Sequence, residues 1–73
     1  MARGNDMGVF IVREMVGTSP RSWSDAARQA VSTAARTVRN IRMVEVVKST
    51  ALVEDGEIKE YRVDLKIHFE YEG

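Results

Sequence analysis

A chain of 73 residues without a cysteine can neither staple itself with disulfides nor hold a thiolate zinc site. At this length only about 60% of the unfolded surface is buried on folding, so assembly with other chains is the remaining route to a sufficient core. Eleven basic and eleven acidic side chains cancel, whereas a nucleic-acid binder carries a basic excess, and no apolar run approaches the roughly 18 residues that span a bilayer; neither nucleic acid nor membrane is expected as a partner.

Residues 1–7 have no apolar stretch or cleavage-like site and read as a disordered tail rather than a signal peptide, with Gly4, Asn5 and Asp6 favouring disorder. Residues 8–73 read as a single domain, and a cytoplasmic location is expected. Val9, Phe10, Ile11 and Val12 make Gly8 to Val16 a strand, which Gly17-Thr18-Ser19-Pro20 is expected to end. Ser22 is a good helix N-cap, and Asp25 three residues on completes a capping-box-like pair. Trp23, Ala26, Ala27, Ala30, Val31, Ala34, Ala35 and Val38 recur at steps of three and four, which predicts an amphipathic helix ending near Asn40. Its alanine-rich face can lie close against a sheet.

Ile41 to Val53 is β-branched and predicts a second strand. Its alternation is imperfect, since Glu45 shares a parity with Val47 and Val46 with Lys48, which points to a bulge. Asp55-Gly56 between two strand patterns is a hairpin signal. The third strand is the most regular feature. Tyr61, Val63, Leu65, Ile67, Phe69 and Tyr71 point one way, and Glu60, Arg62, Asp64, Lys66, His68 and Glu70 the other. A strand from Ile58 to Tyr71 spans roughly 45 Å, against about 25 Å for a helix of about 17 residues. One helix cannot cover that sheet, and a large uncovered apolar patch marks an interaction surface. The expected fold class is α+β, β-α-β-β, a three-stranded antiparallel sheet wrapping one amphipathic helix.

The chain is basic from Pro20 to Lys48, with six cationic against two anionic side chains, and acidic from Glu54 to Gly73, with seven anionic against three cationic. The basic part of one copy meeting the acidic part of another would favour self-association. The catalytic inventory is thin: His68 is the sole histidine, and no serine or carboxylate is placed in a relay with it. Glu54, Asp55 and Glu57 form one acidic cluster and Glu70 with Glu72 another, neither with the spacing of a calcium loop. Arg28, Arg36, Arg39 and Arg42 read as a solvated face or intersubunit ion pairs, and Trp23 as a core or interface anchor. No enzymatic activity is expected.

Three runs in this order resemble the dodecin family: Val16-Gly17-Thr18-Ser19-Pro20-Arg21-Ser22 at the strand-to-helix turn, Asn40-Ile41 followed by Val44-Glu45-Val46-Val47, and Glu60-Tyr61-Arg62-Val63 with Leu65 and Phe69 beyond. The resemblance covers about residues 8 to 72. It implies a hollow homododecamer that stores or buffers a flavin (riboflavin, FMN or lumichrome). In flavin-binding members a tryptophan early in the second strand stacks on the isoalloxazine and a glutamine in the third hydrogen-bonds its edge; here Met43 and Arg62 hold those places. Arginines that bacterial members use near the ligand's phosphate fall on Thr50 and Glu70. The implied ligand-binding set is Met43, Glu45, Thr50 and Arg62. A thioether offers a flat ring less than an indole does, and losing the stack costs about 1–3 kcal/mol per ring face by analogy with bases on aromatics. Arginine has no acceptor and cannot pair as glutamine does. Ile41-Arg42-Met43-Val44 and Tyr61-Arg62 also resemble the family's tryptophan-less branch, associated with divalent cations, calcium in particular. The alternative is therefore a calcium- or magnesium-binding structural dodecamer without flavin.

Overall fold

The computed structural model describes residues 8–72, so the expected N-terminal tail lies outside the described residues. Four elements follow in order: β1 (Phe10–Ser19), α1 (Trp23–Ala34), β2 (Ile41–Glu54) and β3 (Glu57–Glu70). They form one antiparallel sheet in the order β1-β3-β2, with α1 on one face. The regular third strand is thus central, where its strict alternation serves two partners.

Strand β1 does not stop at Val16. Gly17, Thr18 and Ser19 continue the ladder opposite Val63, Arg62 and Tyr61, because β3 is long enough to pair with them. Gly17 is needed there for another reason. A Cβ at this position would collide with the Ala26 carbonyl and sit 3.0 Å from the Ala30 Cβ, so the helix backbone rests directly on the strand. Ser22 caps α1 as expected, its hydroxyl accepting from the Asp25 N–H at 3.0 Å. The reciprocal half of the box is redirected. The Asp25 carboxylate instead accepts from the buried Ser19 hydroxyl at 2.6 Å and from Arg21 at 2.8 Å. That hydroxyl in turn accepts the Arg21 N–H at 2.9 Å, so one Ser–Asp pair ties the end of β1 to the first turn of α1.

The helix is shorter than its periodicity suggests, ending at Ala34 rather than near Asn40. Its last turn tightens, with Arg36 and Thr37 donating to the carbonyls three residues back. Asn40 does not cap it; with φ 63° it takes the left-handed conformation that turns the chain into β2. Of the expected apolar face, Ala26, Ala30 and Ala34 are buried, packing with Val63, Leu65 and Ile67. Burying each of the three sheet side chains contributes about 1.5–3 kcal/mol.

The expected irregularity of β2 is three register shifts, at Ile41/Met43, Val46/Lys48 and Leu52/Val53. The one at Val47 explains the broken alternation, since it returns Lys48, Thr50 and Leu52 to the face that Met43 and Glu45 occupy. Asp55 and Gly56, with φ 53° and 77°, close the hairpin as a type I′ turn.

The mismatch between helix and hairpin is larger than the sequence suggested. Strands of 14 residues reach about 46 Å, while the 12-residue helix covers about 18 Å. The molecule is accordingly long and thin, 59 × 21 × 14 Å. The helix lies over β1 and β3, leaving Val46 (54% exposed) and Val53 (62% exposed) on β2 uncovered.

Candidate functional site

Register places all four expected ligand-binding residues on one face of the sheet. Val63, Leu65 and Ile67 are the helix-facing residues of β3, so Arg62, Asp64, Lys66, His68 and Glu70 face away. Across the ladder Met43 stands opposite His68, Glu45 opposite Lys66, Lys48 opposite Asp64 and Thr50 opposite Arg62. On the other side β1 sets Phe10 opposite Glu70, Val12 opposite His68, Glu14 opposite Lys66 and Thr18 opposite Arg62.

Within that face the residues divide into two groups. Met43 and Glu45 gather around His68; the Glu45 Oε1 lies 3.9 Å from His68 Nε2. Thr50 and Arg62 pair six residues along β3 from the Met43–His68 pair, about 20 Å away. The Arg62 guanidinium is 3.9 Å from the Glu60 carboxylate. Within one chain Met43 and Arg62 thus stand well apart on this face.

At the Met43 end the face holds an open, largely apolar cleft of about 240 Å³ lined by Phe10, Arg42, Met43 and His68. Met43 is 52% exposed and Phe10 48%, so the two offer apolar surface to an occupant. Arg42 occupies the register shift between Ile41 and Met43 and reaches across to Glu70 at 3.2 Å. That ion pair closes one side of the cleft with charge. His68 Nε2 is buried and has no hydrogen-bond partner among the described residues. Phe10 and His68 are site residues that sequence reasoning did not assign to the cleft. The outward parity of His68 was visible in the alternation of β3, but the placing of Phe10 depends on a β1–β3 register that no local pattern encodes.

Trp23 behaves as an anchor. Its indole N–H donates to the Thr50 carbonyl at 2.8 Å, and its ring meets Tyr61 edge-on at 4.9 Å, pinning the helix start to the hairpin. At the hairpin tip the acidic turn is tied in part by Glu57 to Lys59 at 3.2 Å. Among the described residues no three His, Cys, Asp or Glu side chains converge as a cation site would need. No helix among them is long and apolar enough to cross a membrane.

The comparisons with known proteins agree with one another. The Dodecin family model matches residues 9–72. Calcium dodecin of Mycobacterium tuberculosis is 36% identical over 63 residues, 86% of this chain and 89% of that protein. Among solved structures, dodecin from Streptomyces coelicolor superposes with a TM-score of 0.89 at 35% identity, covering 93% of this chain and 97% of its own. The M. tuberculosis crystal structure, described as a calcium-chelating antigen with a novel calcium-binding site, gives 0.76 at 37% identity, covering 88% and 91%.

Proposed function

The chain belongs to the dodecin family, and we propose that it assembles into a closed homododecamer that binds and holds a flavin without converting it. One observation carries the reading: the outward sheet face carries an open apolar cleft at Met43. Phe10 and Met43 offer walls to a flat ring, and His68 and Arg42 stand at its edge. A second copy related by symmetry supplies the opposite wall, and Arg62 with Thr50 from a neighbouring copy reaches the far edge, since within one chain they lie too far away. Glu45 sits beside His68, its carboxylate 3.9 Å from Nε2.

Self-assembly has independent support in the uncovered apolar surface of β2 and in a hairpin far longer than its helix. The absence of enzymatic activity rests on the thin inventory, a lone histidine whose cross-strand neighbours are Val12 and Met43.

A second reading, a calcium-binding dodecamer without flavin, is favoured by the similarity to a calcium dodecin. Because no cation-sized cluster forms within the described residues of one chain, the carboxylates would have to come from more than one copy. Riboflavin titration separates the two readings. Quenching of riboflavin fluorescence at a stoichiometric ratio, with a melting temperature unchanged by chelator, is the expected result. Unquenched riboflavin together with a melting temperature that falls in chelator would replace the flavin reading by the calcium one.

A further inference from the structure

On the outward face of β3 from Arg62 to Glu70, four of the five side chains have polar or oppositely charged neighbours. Lys66 lies between Glu14 and Glu45, Asp64 beside Lys48, Arg62 between Thr18 and Thr50, and Glu70 is bonded to Arg42. His68 is the exception. It sits between Val12 and Met43, its Nε2 buried and unpartnered among the described residues. The Glu45 carboxylate, at 3.9 Å, is beyond hydrogen-bond range. A buried polar nitrogen without a partner is costly, and such groups are normally satisfied by something. Here the imidazole borders the Met43 cleft.

We infer that His68 is the group that reads the ligand's edge: Nε2–H donates to an acceptor oxygen, a ring carbonyl, of a planar heteroaromatic ligand in the Met43 cleft. The inference rests on the flavin reading of that cleft and adds its specificity. The Glu45 carboxylate is one charged group facing this position. The other charged groups facing this position are Glu14 from β1, Arg42 from β2, and Lys66 and Glu70 from β3. Arg42 and Glu70 are engaged with each other, and Glu14 lies opposite Lys66.

The test is riboflavin quenching on the wild-type assembly and on His68→Gln and His68→Leu. The glutamine variant, which keeps a donor, should stay within about twofold of the wild-type affinity, and the leucine variant should bind about tenfold more weakly, the loss of one hydrogen bond. Riboflavin binding with undiminished affinity in His68→Leu overturns the inference and leaves the flavin reading standing. No quenching of wild type removes that reading and the inference with it. A variant that fails to assemble does not block the test. His68 is the only histidine, so its ring nitrogen resonances are unambiguous in the wild type. Saturating riboflavin should move the Nε2 signal, and an unmoved signal contradicts the contact.

Discussion

Replacing Met43 with tryptophan probes the cleft most sharply. Met43 is 52% exposed and borders an open cleft, so an indole has room and the core of Ala26, Ala30, Ala34, Val63, Leu65 and Ile67 on the other face is untouched. The substitution exchanges an adaptable thioether for a flat aromatic face. Each face stacked on a ring contributes about 1–3 kcal/mol. A tenfold change in affinity corresponds to about 1.4 kcal/mol, so one new stack should tighten binding by roughly fivefold to 150-fold. A site shared by two symmetry-related copies gains two stacks and moves further. Fluorescence titration with riboflavin measures it, with native mass as the control for assembly. An assembled Met43→Trp protein with no gain in affinity would place the ligand elsewhere than this cleft.

Three further perturbations test the scaffold. Gly17→Ala drives a Cβ into the Ala26 carbonyl and against Ala30; because backbone must yield, it should cost about 3 kcal/mol and lower the melting temperature by roughly 10 °C or more, and a melt within a few degrees of wild type would mean the helix does not rest on β1 as described. Asp25 is held below its ordinary value of 3.8, chiefly by the Ser19 hydroxyl and also by Arg21. A depressed carboxylate stabilises the fold above its unfolded-state pKa and loses that contribution as pH falls through the lower folded value, so the melting-temperature gap between wild type and Asp25→Asn should be full at neutral pH and close below about pH 3.8; a gap that does not depend on pH refutes the linkage. Val46→Asp changes a half-exposed side chain on the uncovered part of β2, which would be nearly neutral in a lone chain but places a charge in an apolar interface. The assembled species should be lost in native mass spectrometry, and an unchanged mass would show that this strip is not an interface.

How much was legible in the sequence follows from how local each signal is. The alternation of β3 fixed which residues meet the helix, the Ser22 cap fixed where α1 begins, and Asp55-Gly56 fixed the hairpin, because each depends on residues within a few positions of one another. The ends of β1 and of α1 differ from the sequence expectation for a shared reason. Gly17 and Pro20 signal a break, and the apolar spacing out to Val38 signals a helix, but β3 offers ladder partners as far as Ser19, and the turn from Thr33 to Asn40 is set by the need to enter β2. The irregular parity around Val47 was readable as a bulge, whereas its effect of returning Lys48 and Thr50 to the Met43 face required the register. The family resemblance led to the expectation that Arg62 and Met43 share a ligand site. Their separation of about 20 Å along β3 required the register.

Self-association is the central claim, because a hairpin this long and a helix this short leave apolar surface on β2 that other copies would cover. Native mass spectrometry of the unmodified protein, purified without added ligand, tests this most directly. The expected result is a single species at twelve times the chain mass; a monomer that remains folded would contradict the central claim.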